Sequence, residues 1–142
     1  MGDANYSYAL TRFISEDLGW IPYFAVVTDM LDDSAQAAVT ERFAGLAPEL
    51  RPRLIFETDT SRIAVALERE LAEEQDEYGS PVSPAFVLGS TWDRPLAQGL
   101  KAGFLSVTYP VTNRVVTDQA YAGYRGGLRL LTDILSSLLS NR

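Results

Sequence analysis

The stretch WIPYFAVVTDMLDDSAQAAVTERFAGLAPELRPRLIFET, from Trp20 to Thr58, contains the pattern that decides the fold. It opens with β-branched and aromatic residues that end at Asp29, a run typical of a buried strand in a parallel sheet. A helical period follows, and RLIFET then reads as a second strand. The helical period is formed by Ala35, Val39, Phe43 and Leu46. Strand, helix and strand in this order predict a parallel pair with a crossover helix.

The same alternation continues on both sides of this stretch. Upstream, apolar residues at helical spacing follow a capping Asp3 and stop at Gly19; they are Tyr6, Leu10, Phe13 and Leu18. Downstream, Ile63, Leu67 and Leu71 predict a helix by their spacing. Two predicted strands, AFVLGS and FLSVTYPV, then flank a short helix. A loop follows, and the last helix is predicted from about Tyr124 to Leu139. The sequence predicts one three-layer, Rossmann-like α/β domain over residues 1–142. Its mostly parallel sheet would have about four strands, with helices on both faces.

The chain opens on a helix, whereas a doubly wound domain normally opens on a strand. Gly2-Asp3 resembles the turn that follows a first strand. In both common strand orders that strand lies inside the sheet. We therefore expect a domain of a longer polypeptide whose first strand is missing here; the alternative is a domain that simply starts with a helix.

Composition excludes several kinds of chemistry. The 142 residues include no cysteine and no histidine, which removes thiolate and imidazole catalysis and Cys or His ligation of zinc, haem or iron–sulfur clusters. The formal charge of −7, without a basic stripe, argues against nucleic acid or an anionic membrane as a partner. No apolar run is long enough to span a bilayer, so we expect a soluble cytoplasmic domain.

Polar residues after the third and fourth predicted strands are candidates for anion or interface contacts. Backbone N–H groups at Gly89, Ser90 and Thr91 could hold an anion, and Arg114, next to Asn113, could pair with an anion or a partner's carboxylate. A tight turn with a Ser or Thr cap, and a structural salt bridge of Arg114, explain the same residues. Ser90 is not a hydrolase nucleophile, because the chain has no histidine to act as its base.

Two acidic features predict no catalytic or metal site. Asp29 ends a strand as the phosphoacceptor of a receiver domain does, but Lys101, the only lysine, lies at a helix end. A helix-capping or loop role is the better interpretation of Asp29. The acidic run from Glu68 to Glu77 lacks a calcium-loop pattern and reads as a solvated helix face.

Glycines precede the last helix in QAYAGYRGGLRLLTDIL, from Gln119 to Leu135. They do not form the G-x-G-x-x-G pattern and follow a loop, so we predict a structural role for Gly123, Gly126 and Gly127. Gly123 and Gly126 would bring backbone close to the sheet, and Tyr124 would anchor the helix start. The helix should be mostly buried, with one face formed by Leu128, Leu131, Leu135 and Leu138 and widened by Leu130 and Ile134.

Four stretches, in order, resemble nitrogenase component 1 proteins. They are GDANYSYALTRFISEDLGW, FVLGSTWDRPLAQGL, GFLSVTYPVTNR and YAGYRGGLRLLTDILSSLL, and the likeness covers essentially the whole chain. Each subunit of that family is similar to three stacked Rossmann-like domains, and this chain looks like the third. In α-type subunits a cofactor-ligating histidine would fall around Asn113. The Asn113-Arg114 pair resembles the β-type Asp-Arg instead, with Asn in place of Asp.

The resemblance implies a structural and assembly domain of a β-type subunit that is not catalytic by itself. It implies no cofactor on this chain, and an iron–sulfur P-cluster and an iron–molybdenum-type cofactor elsewhere in the complex. The implied partners are an α-type subunit, a second β-type subunit and an ATP-dependent reductase (the iron protein), for ATP-driven reduction such as nitrogen fixation. The substrate stays open, and a stand-alone module that binds a small anion or metabolite remains the alternative.

Overall fold

Helices and strands alternate along the chain in the computed structural model, which describes residues 1–72, 84–115 and 120–140. The alternation confirms the α/β prediction. Part of the acidic run, residues 73–77, lies outside the described residues. The elements are α1 (Ala4–Arg12), β1 (Phe24–Val27), α2 (Asp33–Ala44), β2 (Arg53–Phe56), α3 (Thr60–Ala72), β3 (Phe86–Gly89), α4 (Arg94–Gly99), β4 (Gly103–Ser106) and α5 (Gly123–Ser140).

The described strands form two parallel pairs rather than one sheet of about four strands. β1 pairs with β2, placing Phe24 opposite Arg53, and β3 pairs with β4, placing Phe86 opposite Gly103. The chain also divides into two compact units, Met1–Ala66 and Leu67–Arg142.

The first unit is built around β1. Ala25, Val26 and Val27 are buried, and Ala25 forms a core cluster with Phe43 and Leu46. Tyr8 of α1 packs edge-on against the Phe43 ring, with 5.2 Å between ring centres. The apolar period of α2 therefore serves the core that the sequence predicts.

The buried face of α1 differs from the prediction. Ser7, Thr11 and Ser15 are buried, while the apolar residues expected there are only half-buried. These small residues, four apart, bring the helix close to the end of β1, where the Ser7 hydroxyl donates to the Gly2 carbonyl at 3.2 Å. The predicted ends of the segment are confirmed, because Asp3 caps the Tyr6 N–H and Gly19 adopts a φ of 66°.

The second unit packs α5 against β4. Leu130 and Ile134 are buried on this face, and the Ser137 hydroxyl donates to the Phe104 carbonyl at 2.8 Å. That carbonyl points away from β3, so the helix satisfies part of the outer edge of β4. The spacing of Ile63, Leu67 and Leu71 along α3 is also confirmed, since all three are buried.

The prediction that α5 is mostly buried is wrong. Leu128, Leu135 and Leu139 are exposed, and the buried apolar side chains in the described part of α5 are Leu130 and Ile134. A leucine stripe marks an apolar face, but it does not say whether this chain covers that face. No helix in the described ranges is both long and apolar enough to cross a membrane.

Candidate functional site

A group of polar side chains lies where β3 and β4 end, the edge at which parallel sheets hold ligands. We call it the carboxyl-end cluster. β3 leads into a one-turn 3-10 helix, β4 into the loop before α5, and α5 supplies one carboxylate. Its members are Ser90, Thr91, Asp93, Ser106, Asn113, Arg114, Tyr121 and Asp133.

The turn after β3 is held by the Asp93 carboxylate. Its Oδ2 accepts from the Ser90 N–H at 2.7 Å and from the Ser90 hydroxyl at 2.9 Å. A Cβ at Gly89 would lie 2.5 Å from this oxygen, so only glycine fits there. Ser90 and Asp93 together form a capping box on the first turn after β3.

Thr91 ties this turn to the loop after β4. Its N–H donates to the Pro110 carbonyl at 2.8 Å, and its Oγ1 accepts from the Thr112 N–H at 2.8 Å. The N–H groups of Ser90 and Thr91 therefore already have acceptors, one of them a buried carboxylate that repels an anion. The geometry favours the capped turn over the anion cradle.

Asn113 completes the connection between the two strand ends. Its Oδ1 accepts from the Ser106 hydroxyl at 2.6 Å and from the Thr91 hydroxyl at 3.3 Å. Ser106 is fully buried, so its hydroxyl depends on an acceptor within the protein. The role of Asn113 in this cluster is that of an acceptor.

Arg114 makes three contacts inside the cluster. One guanidinium nitrogen donates to the Ser106 carbonyl at 2.7 Å, another lies 3.3 Å from the Asp133 carboxylate, and the group stands 5.0 Å from the centre of the Tyr121 ring. Its Nε is buried and has no partner within the described part of the chain. The structural salt bridge is thus the use that the geometry supports for Arg114.

Tyr121 closes the cluster from the segment before α5. Its hydroxyl donates to the Asp133 carboxylate at 2.5 Å. Burial, followed by this hydrogen bond to a carboxylate, raises the pKa of Tyr121 to about 12. The phenol therefore stays protonated at neutral pH and keeps its donor role.

The glycines at the start of α5 have two different structural reasons. Gly123 adopts a φ of 69°, which disfavours other residues, whereas a Cβ at Gly126 would lie 2.4 Å from the Tyr121 carbonyl carbon. The close approach is to the backbone of Tyr121, so the predicted approach to the sheet is wrong. Tyr124 is fully exposed and does not anchor the helix start. Gly127 is half-buried, and its predicted role stays a prediction.

Asp93 and Asp133 belong to the cluster, but the sequence did not predict them as site residues. Asp93 stands three residues after Ser90, the spacing of a capping box, so a signal for it was present. Asp133 lies 19 positions from Arg114 inside a leucine-rich helix, and no local pattern indicates their pairing.

The acidic residue at the end of β1, Asp29, binds a backbone N–H group. Asp29 Oδ2 accepts from the Ala4 N–H at 2.8 Å, at the first turn of α1, which confirms the capping interpretation. Lys101 lies after α4 with a φ of 55°, away from the position that a receiver's lysine takes at a strand end. Within the described ranges no three Asp or Glu side chains come together as metal ligands. The chain contains no cysteine and no histidine, the side chains that usually ligate iron–sulfur groups.

The comparisons with known proteins identify the family. The family model described as nitrogenase component 1 type oxidoreductase matches residues 1–139. A solved structure titled "Nitrogenase Cp1 at pH 6.5" shares the fold with a TM-score of 0.72 at 21% identity over 98% of this chain. The chain spans 27% of that structure's chain. No curated protein matches. Because the family model covers nearly every residue, this chain belongs to the nitrogenase component 1 type oxidoreductases.

Proposed function

We propose that this chain is the C-terminal, structural domain of a β-type subunit in a nitrogenase-type complex that carries out ATP-driven reduction. The observation that carries the proposal is the carboxyl-end cluster, whose polar groups, apart from the Arg114 Nε, bond to one another or to nearby backbone. In a parallel sheet this edge is where a ligand would bind. A domain that fills the edge with its own side chains is suited to assembly rather than to catalysis.

Charge balance within the cluster supports a structural role. The Arg114 guanidinium faces Asp133 and the Ser106 carbonyl, so its charge is already compensated. Asp93 is likewise engaged by Ser90. A ligand would have to replace these internal bonds, each made by groups that are at least partly buried.

Asn113 supports the β-type assignment within this proposal. The β-type pattern has Asp at this position, and both Asp and Asn present a side-chain oxygen that accepts hydrogen bonds. Here that oxygen accepts from Ser106 and Thr91. The change from Asp to Asn therefore keeps the acceptor that the turn and the loop need.

In this proposal the redox groups belong to other parts of the complex. The P-cluster and the iron–molybdenum-type cofactor lie outside this domain, whose sequence has no cysteine and no histidine. The partners are an α-type subunit, a second β-type subunit and the ATP-dependent iron protein, in the cytoplasm. The substrate is set by those other parts.

Purification of the native gene product tests the proposal. An affinity tag at the C-terminus of the full gene product should recover a polypeptide roughly three to four times as long as this chain, since the chain spans 27% of its structural match. A second, homologous subunit and protein-bound iron should copurify. Recovery of a lone protein of this chain's size, without a homologous subunit, would contradict the proposal.

Titration with inorganic phosphate examines the alternative of a small-anion module. Because the donors of the turn are engaged, we expect no saturable heat by calorimetry. Saturable binding that is lost in Arg114→Met would favour the alternative, and Arg125→Met, at an exposed arginine of α5, is the matched control.

A further inference from the structure

The outer side of α5 is apolar along most of its length. Tyr124, Leu128, Leu135 and Leu139 are exposed and are spaced by four, seven and four positions, so they lie in one row about 22 Å long. Helices of globular proteins usually bury such a row against a neighbouring element. Within the described residues no element covers this row, which we call the apolar stripe of α5.

Two arginines lie beside this stripe. Arg125 and Arg129 are exposed and four positions apart, which places them in one row next to Tyr124 and Leu128. Neither guanidinium has a carboxylate or other hydrogen-bond partner in the part of the chain that the structure describes. The row forms a positive flank of the stripe, in a chain whose formal charge is −7.

The start of α5 adds to the positive charge of this flank. The unbonded N–H groups at the start of a helix give it a partial positive charge, and a carboxylate in the first turn usually offsets that charge. The first turn of α5 has no acidic residue and carries Arg125 instead. Asp133, the one acidic side chain of the helix, faces Arg114 and Tyr121. The arginine row therefore receives no acidic group from α5 itself.

A second copy of α5 would not supply the missing carboxylates. Packed antiparallel on the stripe, the second copy would place its own Thr132 and Ser136 opposite the arginines, and both are uncharged. Packed parallel, the two copies would bring their arginines to the same end of the pair, where like charges repel. The surface therefore fits a different helix better than it fits its own copy.

An anionic membrane surface would also attract arginines beside an apolar stripe. Helices that lie on such membranes usually have basic residues spread over a wide polar face. α5 has two arginines on one flank only, and the acidic chain as a whole would be repelled by anionic lipid. This distribution of charge favours a protein partner.

We propose that the outer side of α5 docks an amphipathic helix of a different polypeptide, whose apolar side chains cover the stripe and whose Glu or Asp side chains pair with Arg125 and Arg129. The carboxylates lie beside the N-terminal half of α5, because the C-terminal half of the same flank has only Thr132 and Ser136. The two helices cross at a shallow angle, since only a shallow crossing keeps them in contact over about four turns. This docking does not depend on the assignment of the chain to a β-type subunit.

A pair of designed peptides tests the charge of the partner. Both have about 18 residues and the same leucines at helical spacing, but one carries glutamate beside the leucines and the other carries lysine at the same positions. Fluorescence anisotropy of the labelled peptides measures their binding to the 142-residue chain. The glutamate peptide should bind saturably and roughly tenfold more tightly than the lysine peptide, because its charges complement both arginines. Equal affinities, or no saturable binding of either peptide, would overturn the proposal.

Variants of the chain locate the bound peptide. Arg125→Met should weaken binding of the glutamate peptide about threefold, and Arg125→Met with Arg129→Met should weaken it about tenfold. Arg94→Met, at an exposed arginine of α4, removes the same charge elsewhere and is the control for the single variant. Leu128→Gln with Leu135→Gln should weaken both peptides, since both would use the stripe. A double arginine variant that binds the glutamate peptide as tightly as the parent would refute the pairing.

Two further measurements separate the other occupants. Sedimentation velocity should show that the glutamate peptide dissociates any self-association of the chain, and self-association that survives saturating peptide would assign the stripe to a second copy. Vesicles of phosphatidylcholine and phosphatidylserine should not cosediment the chain. Cosedimentation that Arg125→Met reduces would assign the arginines to an anionic membrane. Copurification of a homologous subunit, which tests the proposed function, is independent of these outcomes, because the peptide experiments use the 142-residue chain alone.

Discussion

Arg114 shows how much of the carboxyl-end cluster depends on single side chains. It contacts a backbone carbonyl of β4, a carboxylate of α5 and an aromatic ring from the loop between them. The sequence could predict a salt bridge for this residue but not its partner. Partners 19 positions apart are set by the tertiary fold, which no local spacing encodes.

The raised pKa of Tyr121 predicts a loss of stability at alkaline pH. The pKa is about 12 in the folded chain and near 10 for a free tyrosine, so the unfolded state loses its proton first. This contribution is fully present below pH 10 and is lost as the pH rises towards 12. Because Tyr121 is partly exposed, solvent screening limits the loss to about 1 kcal/mol.

Urea unfolding at about pH 9 and about pH 11 measures this loss. In Tyr121→Phe the free energy of unfolding should fall less between these two pH values than in the parent chain. Tyr124→Phe, at a fully exposed tyrosine, is the control and should behave like the parent. An identical alkaline loss in Tyr121→Phe would show that another group causes it.

At the scale of elements, hydrophobic period predicts the order of helices and strands but not always the buried face. The period placed α3 correctly, because large apolar side chains fill its core face. It failed for α1, where Ser7, Thr11 and Ser15 are buried. Small polar residues that hydrogen-bond to nearby backbone let a helix pack closely against its neighbour. A prediction based on the spacing of apolar side chains does not detect such a face.

The Asn113 side chain connects the end of β3 to the end of β4, and its removal should therefore destabilise the domain. Asn113→Ala should lower the free energy of unfolding by about 1–2 kcal/mol, because the buried Ser106 hydroxyl loses its acceptor. Asn113→Asp keeps an acceptor oxygen and should stay within about 0.5 kcal/mol of the parent. Thermal and urea unfolding of the three chains provide the comparison.

Equal losses in the two variants would contradict the acceptor role. The hydrogen-bond pattern supports that role, since Thr91 Oγ1 already accepts from the Thr112 N–H and has its own proton to donate. An amide nitrogen in place of the oxygen would leave both hydroxyl donors without an acceptor. The side-chain oxygen of residue 113 is thus the feature on which the connection depends.

At the scale of the whole molecule, α5 carries an apolar stripe that the described residues leave exposed. Tyr124, Leu128, Leu135 and Leu139 recur along one side of the helix, and Leu128 is 68% exposed. Exposed apolar patches of this kind mark surfaces that associate with other protein. The sequence analysis placed Leu128 and Leu135 of this stripe in a buried face, because periodicity marks an apolar face but does not reveal what covers it.

The stripe predicts that the isolated 142-residue chain self-associates as its concentration rises. Replacing Leu128 and Leu135 by glutamine should shift the association midpoint to at least tenfold higher concentration, since each leucine contributes on the order of 1–2 kcal/mol when buried. Sedimentation velocity over a dilution series measures the shift. Val65→Gln, at an exposed apolar residue of α3, is the control for a general gain in solubility. Association that both variants weaken equally, or a parent chain that stays monomeric throughout the series, would contradict an interface at this stripe. Association that neither variant weakens would show that another surface of the chain drives it.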